Sequence, residues 1–251
     1  MSINHVEQFT SEIFSGSKPE IETEDGFKVE LNRKRLHEVL DDGNPNLPFL
    51  ILVSGTSESG KSHLGKKFVE DKIGHRFKIY KTISELMQNQ NLTVVEGVDG
   101  FDSVSYATHI QNDPKLRFET TQKVASEYLS IMKKTGVYIG IVETMKHPWL
   151  VKELEGRTDM RVLSLFIDAP FSLRANRQAI KHGLRVEDVA GSVSKKDEHK
   201  AETGTTDIKK FSDIVVWNSG EVESFNSFIE ALQRTLTLHL TVSSGDSIDY
   251  S

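Results

Sequence analysis

The stretch LPFLILVSGTSESGKSHLGKKFVED, residues 47–71, decides how this chain is read. Its first seven residues form an apolar run of strand length, and the last eleven carry apolar positions at helical spacing. Between them Gly55, Thr56, Ser57, Glu58, Ser59, Gly60, Lys61 and Ser62 fit G-x-x-x-x-G-K-[ST] at every fixed position. Strand, glycine-rich loop and helix follow in the order that a phosphate-cradling P-loop requires. Gly55 and Gly60 allow the backbone to turn its N–H groups into one concavity, to which the helix adds its N-terminal donors and dipole. Residues 55–63, His63 included, are therefore the candidate binding loop. Lys61 is placed to meet β and γ phosphates, and Ser62 to ligate magnesium.

Working outward, apolar runs alternate with amphipathic segments, as parallel βα units do. The runs are 47–53, a second around Phe77, Ile79 and Tyr80, then 137–142, 162–167 and 214–217. Continuous rather than alternating apolar character suits strands covered on both faces. Helical spacing marks 116–134 and 221–234, and Pro170 fits the first turn of a helix. Residues 1–46 are more polar, with a strand-like Phe27, Val29, Leu31 and a short helix over 35–40, and read as an N-terminal extension. The domain expected is 47–238, with a lid at about 182–205. Residues 239–251, rich in Ser and Asp, read as a disordered tail. The fold expected is α/β: a three-layer P-loop NTPase fold with a mostly parallel five-stranded sheet.

Composition narrows the function classes. The 251 residues carry a net charge of −6, which argues against broad, sequence-independent binding to nucleic acid because that needs clustered cations. With no cysteine, disulfides and thiolate metal sites are impossible. Nothing approaches the roughly 18 apolar residues of a membrane span, so a cytoplasmic protein without a membrane partner is expected. The nine histidines lack zinc-ligand spacing. Neither a nucleophile elbow nor a dinucleotide fingerprint is present.

Acids at strand ends usually hold magnesium or orient the nucleophile beside such a loop. Glu143, ending the run 137–142, fits best, although a turn carboxylate would look the same. Asp168 is the weaker candidate, because its place before Ala169 and Pro170 suits helix capping. Glu96, Asp99 and Asp102 read as an acidic loop. Arg174, Arg177 and Lys181 recur at spacings of three and four, along one helical face that could close over a transferred phosphoryl group, with Arg185 following. The mixed-sign run 195–200 looks like an exposed helix end.

From residue 163 to 232, LSLFIDAPFSLRANRQAIKHG through KKDEHKAETGTTDIKKFSDIVVWNSGEVESF resembles the carboxyl half of dephospho-CoA kinase and related P-loop kinases of the nucleoside and nucleotide kinase superfamily. The matching elements are Arg174 and Arg177, then Lys196 and Asp197, then Ser212, Asp213, Ile214, Val215, Asn218 and Gly220. With the P-loop, the resemblance covers roughly residues 48 to 236. It implies that Asn218, Ser219 and Gly220 border the adenine base and that Arg174 and Arg177 reach the donor phosphates. A plain turn before the last helix would also explain residues 218–220. Lys196 departs from the more usual Arg, offering a point charge in place of a planar fork. No acceptor signature lies between the second and third strands.

The expectation is therefore ATP- and Mg2+-dependent phosphoryl transfer to a nucleotide-like small-molecule acceptor, by a monomer or homodimer. Lys61, Arg174, Arg177 and Glu143 carry the chemistry, and Ser62 and Glu143 hold the metal. The alternative is an NTP-gated switch with little or no kinase activity. A GTPase is disfavoured by the lack of an Asn-Lys-x-Asp motif, and an ATPase motor by the single acids at strand ends.

Overall fold

The computed structural model describes residues 3–14, 18–41, 44, 46–79, 110 and 112–241. At its centre is β3 (Phe49–Gly55), buried along its whole length. Successive side chains on a strand point to opposite faces, and here both faces are covered. Phe49, Ile51 and Val53 join one apolar cluster, while Leu50 and Leu52 join another on the far side. That is why the run reads as unbroken apolar sequence.

Parallel to β3 lie β5 (Ile139–Glu143) on one side and β6 (Arg161–Asp168) on the other. Beyond them come β4 (His75–Lys78) and β7 (Ile214–Trp217), also parallel to their neighbours. The five expected parallel strands are thus present, in the spatial order β4-β5-β3-β6-β7. The second strand spans His75–Lys78: it takes in Phe77 and also Arg76, whose guanidinium pairs with Glu143, and ends before Ile79, while Tyr80 lies outside the described residues.

Helices cover both faces. On one side α3 (Lys61–Glu70) and α9 (Val222–Thr241) supply Leu64, Phe68, Phe225 and Phe228. On the other, α4 (Pro114–Thr135) and α5 (Pro148–Glu155) supply Tyr128, Leu150 and Leu154. The start of α4 is set locally: Asp113 accepts from the amides of Lys115 and Leu116, and Pro114 follows it. Helices α6 (Phe171–His182) and α7 (Val186–Glu202) form a hairpin over the loop end of the sheet, hinged at Gly183, whose φ of 65° a side chain would resist. A short α8 (Thr205–Ile208) and a 3-10 turn lead into β7. Of the hairpin, α7 falls within the stretch of about 182–205 that the sequence reading assigns to a lid, and α6 precedes it. No described helix is long and apolar enough to cross a membrane.

Two boundaries differ from the sequence reading. The N-terminal segment is built into the domain: α1 (Ile3–Phe14) packs on α9, and β1 (Glu20–Glu22) and β2 (Lys28–Leu31) add two antiparallel strands beside β7. Phe9 and Phe27 are fully buried there, against Phe225 and Phe228. Polar composition hid this because β2 and the short α2 (Arg33–Leu40) each bury only alternate or one-sided positions. At the other end α9 continues to Thr241, past the expected boundary at 238, and the remaining tail lies outside the described residues.

Candidate functional site

The loop leaves β3 at Gly55 and returns as α3 at Lys61. Both glycines are obligatory. Gly55 has φ 136°, and a Cβ there would lie 1.9 Å from the carbonyl oxygen of Ile167 on β6. Gly60 has φ 116°, with Asn218 and Phe225 within 3 Å of where a Cβ would be. Glu58 also takes a left-handed conformation, φ 56°. Alternating hands along a loop turn consecutive amides inward, which makes a concavity for an anion.

That concavity opens into a cleft of about 1100 Å³. Lys61, Arg177, Lys181, Lys195, Lys196 and Lys200 line it, with Glu58 the acid among the lining residues. Lys61 is curled back on its own loop, donating to the carbonyls of Gly55 (3.2 Å) and Thr56. Burial pushes its ammonium down to about 8, against the pull of the carboxylates of Glu58, Asp197 and Glu143. Lys200 donates to the same Gly55 carbonyl at 3.0 Å. Its ammonium is held well below the usual lysine range, first by loss of solvent and then by the charge of Lys61.

Ser62 begins α3 and donates to Glu143 Oε2 at 3.1 Å. The Glu143 carboxylate is also held by Arg76 of β4, at 2.5 Å from Nε and 2.8 Å from Nη2. Space for this pair comes from Gly65: a Cβ there would sit 2.0 Å from Glu143 Oε1. One hydroxyl and one carboxylate are the hard oxygen donors that magnesium accepts when phosphates and water complete its shell, so the pair fits that ion. Arg76 shares the carboxylate and was invisible in the sequence, since nothing local marks an arginine inside a strand. Thr144, next in the chain, lines the cleft with φ 65°, a conformation that β-branched residues avoid.

Asp168 is not a helix cap. It accepts from Thr56 Oγ1 at 3.1 Å and from Lys209 Nζ at 2.9 Å, fastening the first turn of the loop to β6. Lys209 is itself stacked 3.5 Å over the Trp217 ring. Pro170 precedes α6 and no side chain caps that helix.

The expected cationic face exists. From α6, Arg174 donates to Ser57 O (3.3 Å), Arg177 lies 3.4 Å from Glu58 O and 3.5 Å from Ser59 O, and Lys181 pairs with Glu58 at 3.4 Å. All three therefore meet the loop. Arg185 does not: it pairs with Asp188 at the solvent-exposed start of α7.

The run 195–200 overturns its reading as a solvated helix end. Lys195, Lys196 and Lys200 line the cleft, and Asp197 accepts from the Ser57 amide at 3.2 Å and from Arg174 Nη1 at 2.5 Å. Its mixed signs belong to a helix face docked on a loop, a pattern that the sequence cannot tell from a face turned to water.

Residues 218–220 split between two duties. Asn218 is buried under the loop, donating to Ser59 O at 2.7 Å, and it borders the cleft near Val222 and Phe225. Ser219 and Gly220 turn the other way, against the β1–β2 connection. A Cβ on Gly220 would lie 2.5 Å from Asp25 Oδ2. Burial opposes the charge on Asp25, but hydrogen bonds from Thr23, Ser224 and the amides of Glu221 and Phe27 outweigh it and bring the group down to about 2. Asp25 thus caps α9, a role that the resemblance does not contain. His63 lines the cleft and holds Asn226 at 2.7 Å. Asp213, buried and pushed up by loss of solvent, clamps Ser164 of β6 to the start of β7. Glu96, Asp99 and Asp102 lie outside the described residues.

Sheet order, loop and the helices on both faces define a three-layer α/β protein with a P-loop. No family model matches the chain, and no curated protein matches it. It is similar to solved structures that include TT1252 from Thermus thermophilus, at 18% identity over 78% of this chain and 99% of that one, with a TM-score of 0.46. A gluconokinase from Sinorhizobium meliloti gives 13% identity, 78% and 97% coverage and a TM-score of 0.44. Shikimate kinase from Bacteroides thetaiotaomicron gives 12%, 76% and 99%, and 0.37.

Proposed function

We propose that this protein is an ATP-dependent small-molecule kinase that moves the γ-phosphoryl group to a nucleotide-like acceptor. The observation that carries the reading is the cleft: six cations and one acid, Glu58, line it beside a glycine-bounded loop, an excess of positive charge that suits a polyanion. Residues 55–62 would cradle the phosphates, and Asn218 with Phe225 would border the base. Ser62 and Glu143 would hold Mg2+, which when bound supplies charge neutralisation at the phosphate oxygens. Arg177 sits where charge grows during transfer, and preorganised cations there act without reorganising. The α6–α7 hairpin would exclude water and so suppress idle hydrolysis.

Incubation with γ-labelled ATP and pooled nucleoside monophosphates, nucleosides and dephospho-CoA tests this directly. A labelled small molecule is the expected product. Slow release of free phosphate alone, whatever acceptor is offered, would favour the nucleotide-gated switch and refute the kinase reading.

A further inference from the structure

An acid from α7 holds an amide of the phosphate loop at the margin of the cleft. Five acids lie on α7, and of these Asp188 pairs with Arg185 and Glu198 accepts from Ser194, both away from the loop. Asp197 instead places one oxygen on the Ser57 amide and the other on Arg174 Nη1. Arg174, whose side chain is only 7% exposed, also donates to Ala169 O at 2.9 Å and Ser57 O. Three positions further on, the same face of α7 sets Lys200 on the Gly55 carbonyl. Carboxylate on amide and guanidinium is the pairing that a phosphate oxygen makes, with the same charge sign and the same donors.

We propose that Asp197 is an internal competitor for the anion seat of the phosphate loop, so that an incoming polyphosphate binds only by displacing it from Ser57 and Arg174. This deepens the functional reading above and rests on it. Two consequences follow from the geometry. Displacement frees Arg174, the most buried cation of the α6 face, at the moment the phosphate arrives. It also unpins α7 at Asp197, so the hairpin is released by the ligand it will cover. A competing group held by the protein itself lowers the apparent affinity of any anion that needs its seat, by the fraction of molecules in which the seat is free.

Such a contact has an unusual signature: its removal weakens the empty protein yet tightens the ligand. Titration calorimetry of the full chain with inorganic tripolyphosphate and with Mg-ATP, beside thermal unfolding without ligand, reads both. In Asp197→Asn and Asp197→Ala, affinity for tripolyphosphate is expected to rise about tenfold, the worth of one charge-assisted contact, while the unliganded Tm falls. Glu58→Gln removes an acid from the same cleft that touches no amide, and is expected to give less than about a third of that gain. Equal or weaker binding by both Asp197 variants overturns the proposal, as does an equal gain in Glu58→Gln, which would reduce the effect to bulk charge. Wild-type binding without a gain sinks the competitor alone. If neither wild type nor variants bind tripolyphosphate or ATP, the phosphate-loop reading falls and this inference falls with it.

Discussion

Two carboxylates flank the central strand in nearly mirrored settings, and the contrast between them separates scaffold from chemistry. Glu143 ends β5 and Asp168 ends β6; each accepts from a hydroxyl of the loop at 3.1 Å, and each is paired with a cation from a neighbouring element. The difference lies in the hydroxyl. Ser62, the partner of Glu143, lines the cleft, whereas Thr56, the partner of Asp168, does not. Identical pair chemistry therefore faces the cleft on one side of β3, where the proposed function puts the ligand, and anchors the loop on the other.

Lys61→Ala sets the largest effect against which the two sides are compared. Turnover is expected to fall about a thousandfold with thermal stability kept, because under the proposed function Lys61 leaves the Gly55 and Thr56 carbonyls to meet the phosphates and acts chiefly in the transition state. Unchanged steady-state turnover would break the kinase reading itself.

Glu143→Gln and Asp168→Asn are the direct test of the contrast. The first is expected to cost about a hundredfold in kcat and to raise the Mg2+ concentration for half-activity. The second should lower Tm and cost under about tenfold, with the Mg2+ requirement unmoved. Equal magnesium shifts in the two variants would erase the distinction.

A smaller effect is expected for Arg177→Ala: kcat should drop about tenfold while ATP affinity drops about threefold, since the charge it meets grows during transfer. Matching losses would make Arg177 a simple binding residue. Smallest is the pH dependence. In the unliganded cleft Lys61 titrates at about 8, and a bound polyanion favours its charged form. Above that pH binding must take up a proton, so affinity should hold from pH 7 to 8 and then fall, by at most about tenfold per unit. Calorimetry at pH 7, 8 and 9 reads this, and Lys61→Arg, charged throughout, should flatten the curve.

The parallel strands and the loop were legible because each is local: an apolar run bounded by glycine, or a fixed spacing of Gly, Lys and Ser. Arg174, Arg177 and Lys181 were legible for the same reason, as helical spacing is a local property. What escaped depends on distant partners. Arg76 matters only because β4 lies beside β5, and Asp197 only because α7 folds onto the loop. Asn218, Ser219 and Gly220 are contiguous in sequence yet face two regions, a split set by Asp25 nearly two hundred residues away.

The sheet is completed by joining chain segments far apart in order: β2, at residues 28–31, pairs with β7, at 214–217. Its seven-stranded form therefore cannot assemble during synthesis until almost the whole domain has emerged from the ribosome. Such non-local closure slows folding, because loop entropy is lost before the contacts repay it. Until then Phe27 and its neighbours lack the aromatic partners of α9, so this edge of the nascent chain keeps apolar surface open to wrong partners while the rest is made.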